Sequence, residues 1–251
     1  MISKSQIRDI KSLHTKKHRE ISNRFIAEGV KTVLEIMQQR ASIIKELYCT
    51  QEFYTTNESL LKNNTFTVSI INSKELSQIS LLSAPNETLA ICQIIKPKLI
   101  SPNFDKQFSF YLDDIRDPGN LGTIIRICSW FGITDLFCSP TTVELYNPKC
   151  IQSTMGSFLR VNVHYIDLKE IIAAHTIKNI YATVLNGNNL YKENVKNGLI
   201  IIGNEANGMS AENIKFATKQ ITIPAAAGNT ESLNAAIATS IIASEFYRNS
   251  L

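Results

Sequence analysis

The sequence lacks any long hydrophobic run. No apolar segment approaches the roughly 18 residues that a membrane-spanning helix needs. Its first twenty residues, MISKSQIRDIKSLHTKKHRE, are charged where a secretory signal peptide would be apolar. These absences predict a soluble, cytoplasmic protein with no membrane partner.

Cysteine is also scarce. The five cysteines are odd in number, lie far apart and form no CxxC pair. Neither a zinc site nor a disulfide framework is indicated by such spacing. We therefore expect reduced, mostly buried thiols and no bound metal.

The positive charge is concentrated at one end of the chain. The net charge is +4, yet residues 1–31 hold eight Lys or Arg against three Asp or Glu, and the other residues hold 18 basic and 19 acidic side chains. A basic segment of this kind attracts polyanions, so four of its residues are candidate phosphate contacts. They are Lys11, Lys16, Lys17 and Arg19. The alternative is a solvated helix face.

Two regions are separated by a proline-containing stretch. Residues 96–107 contain two prolines and little periodicity, which predicts a linker. Before it, AEGVKTVLEIMQQ has the apolar spacing of an amphipathic helix, and TFTVSII and TLAICQI are strand-like. The pattern predicts a small α/β domain over residues 1–95 and a second domain over 108–251.

In the second domain, strand-like and helical stretches alternate. Six segments are strand-like: FSFYLDD, DLFCS, RVNVHYI, NIYATVL, LIIIG and QITIP. Helices are expected to begin near Leu121, Pro148, Leu168, Ala211 and Ser232. Alternation predicts a mostly parallel sheet with helices on both faces, and ligands bind such sheets beyond the carboxyl ends of the strands.

The first such strand end leads into DPGNLGTIIRICSWFG, residues 117–132. Gly119 and Gly122 permit a tight bend. Arg126 then projects from a small, partly polar helix stripe. Alone, this is an ordinary helix with an exposed arginine. A dinucleotide-binding loop is an alternative, but the spacing is GxxG and not GxGxxG.

Two later strand ends carry unusual polar residues. LIIIGNEANGMS places Gly203 and Glu205 after a buried strand, where a charge without a partner is costly. ITIPAAAGNTESLNAAIATSIIASEF joins a strand to a helix through small residues, and Thr230 and Ser232 are candidate helix caps. Asn234, just inside the expected helix, lowers helix propensity without obvious need.

Together these three segments resemble, in order and spacing, the three motifs of the SpoU (TrmH-type) RNA 2'-O-ribose methyltransferases of the SPOUT class. YNPKCIQSTMGSFLRV resembles the family's segment between motifs one and two, and RFIAEGVKTV resembles part of its N-terminal substrate-binding domain. The resemblance implies a deep trefoil knot, a rare exception to unknotted folding, in the second domain. The resemblance also implies that the first domain is a ribosomal-protein-like RNA-binding domain.

The resemblance also implies the site and its partners. Position by position, Asn120, Arg126, Glu205, Ser232 and Asn234 match the functional polar positions. Asn186, Gly187, Gly203, Ile223 and Leu233 match positions that contact S-adenosylmethionine. The expected function is methyl transfer to a ribose 2'-hydroxyl of RNA by a homodimer, with ribosomal RNA favoured over transfer RNA.

Two departures from the family pattern bear on substrate fit. Gln152 stands where the family usually has an arginine that contacts phosphate, and alanine follows Pro224 where methionine is common.

The alternative functions are a transfer-RNA methyltransferase and a non-catalytic RNA-binding protein that kept the fold. A nicotinamide dehydrogenase is disfavoured, because the glycine fingerprint is missing.

Overall fold

The computed structural model describes residues 2–62, 64–82, 84–85, 87–98, 102–226 and 232–251. Its α-helices are α1 (Lys4–Ser12), α2 (Lys16–Ser22), α3 (Val30–Arg40), α4 (Gln51–Thr56), α5 (Glu58–Leu61), α6 (Ser73–Ile79), α7 (Pro118–Trp130), α8 (Pro148–Thr154), α9 (Leu168–Ala174), α10 (Ala211–Ile214) and α11 (Ala235–Ser250). Its strands are β1 (Arg24–Glu28), β2 (Ile44–Cys49), β3 (Thr67–Ile70), β4 (Thr88–Gln93), β5 (Phe108–Leu112), β6 (Asp135–Cys138), β7 (Asn162–Tyr165), β8 (Ile180–Asn189), β9 (Gly198–Ile202) and β10 (Lys219–Thr222). Among the described residues, no helix is long and apolar enough to cross a membrane.

The chain forms two compact units. Unit 1 comprises residues 1–96 together with 144–159, and unit 2 comprises residues 97–143 and 160–251. A boundary falls close to the linker expected at 96–107, whose residues 99–101 lie outside the described part of the chain. Residues 144–159, which the sequence pattern places in the second domain, group with unit 1 in the structure.

Unit 1 is built on a four-stranded mixed sheet in the order β1-β4-β2-β3. Strand β4 is antiparallel to both β1 and β2, whereas β2 and β3 are parallel. The predicted amphipathic helix is α3, whose Val33, Ile36 and Met37 are buried. A second apolar cluster joins Ile10 and Leu13 to the sheet, so the basic N-terminal segment is folded onto the core.

Residues 144–159 complete the core of unit 1. The Tyr146 hydroxyl donates to the carbonyl of Ile95 at 2.7 Å and accepts from its N–H at 2.9 Å. The Phe25 ring lies 4.7 Å from the ring of Tyr146 and 5.8 Å from that of Phe158, measured between centroids. Buried aromatic pairs of this kind contribute substantially to core stability. A segment distant in sequence therefore supplies part of the hydrophobic core.

Unit 2 contains a six-stranded sheet in the order β10-β8-β9-β5-β6-β7, in which every pairing is parallel. All six predicted strands are present. Central strands β5 and β9 are buried along their whole length, which accounts for their continuous apolar sequences. Leu168 and Ile171 of α9 pack with Tyr111 on one face, while Phe246 of α11 packs against Phe108 from the other. The predicted α/β class with a parallel sheet is confirmed.

Candidate active site

A pocket of about 850 Å³ lies beside the carboxyl ends of β8, β9 and β10. This is where parallel sheets bind ligands, and the volume lies in the range of small-molecule sites. Four of the five predicted cofactor residues line it: Asn186, Gly203, Ile223 and Leu233. Ser232 and Glu205 line it as well. The remaining wall is mainly small or aliphatic, so main-chain groups are accessible to a ligand.

The two predicted cofactor glycines are explained by close backbone packing. A Cβ on Gly187 would lie 2.6 Å from the carbonyl carbon of Ile221, and Gly187 itself does not line the pocket. A Cβ on Gly203 would lie 2.6 Å from the carbonyl carbon of Gly208 and from the N of Met209. Real Cβ atoms essentially never approach backbone so closely. Both glycines let pocket-forming segments meet, independently of any ligand.

The structure brings together three of the five predicted polar residues. Asn120 donates from Nδ2 to Oε1 of Glu205, and its Oδ1 accepts from Nδ2 of Asn234 at 3.0 Å. One carboxamide thus uses both ends of its dipole to link α7 to the loop after β9 and to the start of α11. We call this chain of side chains the amide cluster: Asn234, Asn120 and Glu205.

The first motif forms the first turn of α7 and not a bend before it. Asp117 is the N-cap, and its carboxylate accepts from the Asn120 N–H at 2.9 Å. Pro118 occupies the first helical position, where its missing N–H costs nothing. The expectation of a glycine bend with a helix starting near Leu121 was therefore wrong, because Asp117 and Pro118 start the helix three residues earlier.

Asn234 is the N-cap of α11. Its Oδ1 accepts from the N–H groups of Ala236 and Ile237, at 2.9 and 3.3 Å. The predicted start near Ser232 was wrong, and the need for asparagine at 234 is now explained by capping. Ser232 is exposed at the pocket, and Thr230 lies outside the described residues.

Arg126 stands apart from the amide cluster. It lies on α7 and is exposed, and it makes no hydrogen bond or ion pair with any residue that the structure describes. Trp130, one turn further along the same face, is 84% exposed. Within the described part of the chain, no acidic side chain compensates the Arg126 guanidinium, which lies beside a large apolar side chain.

Sequence reasoning missed Asn204, between Gly203 and Glu205. Its carboxamide is buried and makes three hydrogen bonds, to the N–H groups of Ala206 and Asn207 and to the carbonyl of Asp114. The only signal in the sequence is a carboxamide directly after an apolar strand. That pattern does not reveal which backbone groups the side chain meets.

The four candidate phosphate contacts in unit 1 differ in accessibility. Lys11, Lys16 and Lys17 are exposed, and Lys16 lies 3.8 Å from a carboxylate oxygen of Glu20. Arg19 is only 2% exposed; it donates to the Leu13 carbonyl and pairs with Glu144. A buried guanidinium paired in this way cannot reach a phosphate, so the assignment of Arg19 to RNA binding was wrong.

Helix α1 carries a stripe of cationic side chains along one face. Lys4, Arg8 and Lys11 are exposed at positions i, i+4 and i+7, so they share one helix face. They extend over about 10 Å along the helix axis, at 1.5 Å per residue. None of the three forms an ion pair with another described residue. We call these residues the α1 stripe.

Comparison with known proteins defines the class and the family. A solved S-adenosylmethionine-bound rRNA methyltransferase from Sinorhizobium meliloti is 28% identical and superposes with a TM-score of 0.86 over 100% of this chain and 98% of its own. The SpoU methyltransferase AviRb from Streptomyces viridochromogenes, at 21% identity, shares the fold with a TM-score of 0.84 over 98% of both chains. The fold is that of the SPOUT-class RNA methyltransferases.

The family follows from the sequence match. The model of the SpoU rRNA Methylase family matches residues 107–244, and that of the MRM3-like substrate binding domain matches residues 4–90. The chain belongs to the SpoU rRNA methylase family. It is 28% identical over 242 residues, 94% of both chains, to the 23S rRNA (guanosine(2553)-2'-O)-methyltransferase RlmP of Bacillus subtilis. The predicted family, enzyme class and S-adenosylmethionine cofactor are confirmed.

Proposed function

We propose that this enzyme methylates a ribose 2'-hydroxyl of ribosomal RNA, with the amide cluster and Arg126 as its reactive centre. The observation that carries the proposal is the amide cluster itself, which joins three motif residues beside the pocket. The choice of ribosomal RNA is supported by the near full-length likeness to the Bacillus enzyme, which includes unit 1. The predicted cytoplasmic location stays a prediction.

The pocket fits S-adenosylmethionine in size and chemistry. Its apolar wall suits an adenine ring, and Asn186 and the main chain near Gly203 and Ile223 provide hydrogen-bonding groups. Leu233 and Ile202 add apolar surface. When bound, the cofactor supplies an electrophilic methyl group on a sulfonium. The protein supplies binding, orientation and electrostatic field.

Arg126 activates the ribose by electrostatics. A ribose 2'-hydroxyl is a poor nucleophile at neutral pH, and a guanidinium is normally always protonated. Arg126 is exposed and has no ion-pair partner among the described residues, so it can bind a phosphate bidentately and stabilise the negative charge that develops at O2'. This charge develops as the 2'-hydroxyl proton passes to phosphate or water and the O2' lone pair forms the new bond to the methyl group.

The amide cluster and Ser232 place the nucleotide. Glu205 fixes the orientation of the Asn120 carboxamide, and Asn234 holds its oxygen. The hydroxyl of Ser232, exposed at the pocket, contacts the ribose or its phosphate. Holding the reacting atoms in line can supply a large share of the rate enhancement.

Unit 1 docks RNA through its exposed cations. The α1 stripe, with Lys16 and Lys17 of α2, offers five positive side chains, and none of those in the stripe is neutralised by a described residue. Phosphate contacts of this type position RNA without reading its sequence.

The enzyme works as a homodimer that pairs through α7 and α11. Trp130 of α7 and Ile237 and Tyr247 of α11 are 84%, 55% and 42% exposed, and these two helices pack against each other. Large exposed apolar side chains on adjacent helices mark an interaction surface, and a two-fold axis would pair the patch with itself. Light scattering should give a molar mass twice that of the chain.

Mapping of 2'-O-methyl groups in total RNA from cells with and without the gene tests the function. One ribose of large-subunit ribosomal RNA should lose its methyl group when the gene is deleted. Loss from a transfer RNA instead would replace the proposed substrate. An unchanged map, together with S-adenosylmethionine binding by the purified chain, would indicate an RNA-binding protein that kept the fold.

A further inference from the structure

Asn204 links two loops at the carboxyl edge of the unit 2 sheet. Its side chain is 8% exposed, and its Oδ1 accepts from the N–H groups of Ala206 at 2.8 Å and Asn207 at 3.0 Å. Its Nδ2 donates to the carbonyl oxygen of Asp114 at 2.6 Å. A buried carboxamide with three good hydrogen bonds has one orientation, because each alternative leaves a polar group unpaired.

Asp114, which accepts the hydrogen bond from Asn204, has an unusual backbone conformation. Asp114 has φ +60°, in the left-handed region that non-glycine residues rarely adopt. Its N–H donates to the Ser139 hydroxyl at 2.9 Å, and its carbonyl accepts from Asn204. Held from both sides, Asp114 sets the direction in which the chain leaves β5 toward Asp117 and Asn120.

The Asn204 backbone and side chain also shape the loop that carries Glu205. The N–H of Asn204 donates to the carbonyl of Gly208 at 2.9 Å, and the N–H of Gly208 donates back at 3.0 Å. The Asn204 side chain fills the inside of this tight loop. Glu205 follows directly and accepts from Asn120. Asn204 is thus hydrogen-bonded to Asp114, and its neighbour Glu205 is hydrogen-bonded to Asn120. Because Asn120 lies on α7, the helix that follows Asp114, these contacts form a closed loop.

We infer that Asn204 is a positioning residue for methyl transfer, which holds the Glu205 loop at the correct distance from α7. The inference rests on the proposed roles of Asn120 and Glu205. Both side chains are partly or fully exposed, so packing alone does not fix them. The Asn204 carboxamide ties their backbones together within unit 2. The amide cluster is then assembled before RNA arrives, and preassembly avoids reorganisation during the reaction.

A double-mutant cycle tests the inference. Asn204→Ala should lower the single-turnover rate constant at saturating RNA and cofactor by about 10- to 100-fold, as a misplacement of the order of 1 Å can. In a Glu205→Ala background the same substitution should cause no further loss, because the residue that Asn204 positions is gone. Losses that multiply would show that Asn204 acts by another route and would overturn the inference.

Asn197→Ala is a matched control. Asn197 precedes β9 at its opposite end, where its carboxamide accepts from Asn179 at 2.9 Å and donates to the Asp105 carbonyl. This variant should lose thermal stability as Asn204→Ala does while it keeps the wild-type rate constant. An equal fall in rate for both variants would indicate general loosening of the sheet.

Asn204→Asp covers the case in which Asn204→Ala does not fold. A carboxylate keeps acceptors for Ala206 and Asn207 but cannot donate to Asp114. The loop should form, and methyl transfer should still fall. A wild-type rate in Asn204→Asp would show that the tie to Asp114 is dispensable. Wild-type protein without methyl transfer to any RNA would instead refute the proposed function.

Discussion

The Nδ2 atom of Asn234 lies 3.0 Å from Oδ1 of Asn120, although the two residues are 114 positions apart in the sequence. Asn234 also caps α11 through its Oδ1. The oxygen of one carboxamide thus caps a helix, while its nitrogen joins the amide cluster. The two ends can be separated by substitution.

Asn234→Asp should keep the cap and lose the link. A carboxylate accepts from the N–H groups of Ala236 and Ile237 as the amide does, but it cannot donate to Asn120. Stability in urea should stay near wild type while the methyl-transfer rate falls at least about tenfold. Asn234→Ala should lose both, with about 1 kcal/mol of unfolding free energy. Equal rates in Asn234→Asp and wild type would show that the hydrogen bond from Asn234 to Asn120 does not contribute to methyl transfer.

Arg126→Ala should lower methyl transfer at saturating RNA by about two or more orders of magnitude, because the guanidinium that stabilises the transition state is removed. Cofactor affinity, measured by calorimetry, should hardly change. Because Arg126 is exposed and unpaired within the described chain, the melting temperature should not change either. Lys169→Ala, an exposed cation on α9, is the control and should be fully active. Near-normal single turnover by Arg126→Ala would refute the role.

Replacing Lys4, Arg8 and Lys11 with glutamine should weaken RNA binding at low salt. For unpaired RNA, removing one cation that binds a phosphate lowers the log–log salt slope by about 0.7, so the slope of the triple variant should fall by about 2. Filter binding at several salt concentrations measures the slope. The control replaces Lys45, Lys62 and Lys74, three other exposed lysines of unit 1, with the same change in net charge. Equal slopes for both triple variants would mean that affinity follows net charge and not the α1 stripe.

Acid should remove a contribution of Asp135 to stability. Burial alone would raise the pKa of Asp135, but hydrogen bonds from His164, Thr134 and Asn162 outweigh it and hold the pKa below its ordinary value. The folded state therefore binds this proton less readily than the unfolded state, whose pKa is about 3.9. The stabilisation is complete above that pH and disappears as pH falls through the lower folded pKa. In urea titrations, the stability difference between wild type and Asp135→Asn should stay constant above about pH 5 and narrow as the pH falls below about 4 toward the lower folded pKa. A difference that stays constant throughout the acid range would contradict the assignment.

Glu144→Ala should destabilise unit 1 strongly. It leaves the buried Arg19 guanidinium without its carboxylate, and breaking a buried pair from one side costs about 3 to 5 kcal/mol. Glu58→Ala removes the exposed pair with Lys62 and should cost about 1 kcal/mol or less. Urea unfolding followed by circular dichroism compares the two. Similar small losses would mean that Arg19 finds solvent or another acceptor.

Local pattern predicted much of unit 2. The alternating apolar strands and helices led to the parallel sheet, and the three motifs led to Asn120, Glu205 and Asn234, which do meet. The exact helix starts were harder. Asp117 and Asn234 were identified as caps only from the structure, because serine, threonine, aspartate and asparagine nearby compete for the same role.

Burial across long sequence distances could not be predicted. Arg19 looked like a surface cation because Lys16 and Lys17 stand just before it, and its partner Glu144 is 125 residues away. Asn204 looked like an ordinary loop residue because its acceptor is the backbone carbonyl of Asp114. Every residue has a backbone carbonyl, so the sequence does not indicate which one accepts a hydrogen bond. Each of these contacts depends on topology and not on local propensity.

The placement of residues 144–159 in unit 1 sets an order for biosynthesis. The N-terminal core is incomplete when residue 96 leaves the ribosome, because Tyr146 and Phe158 have not been made. At about 5–20 residues per second, the 63 residues from 97 to 159 take about 3 to 13 s to translate. During that interval the face of β1 that later receives α8 is open, and the first strands of unit 2 are synthesised. The nascent chain therefore completes its N-terminal unit only after unit 2 has begun, and until then this apolar face of β1 is open to a chaperone.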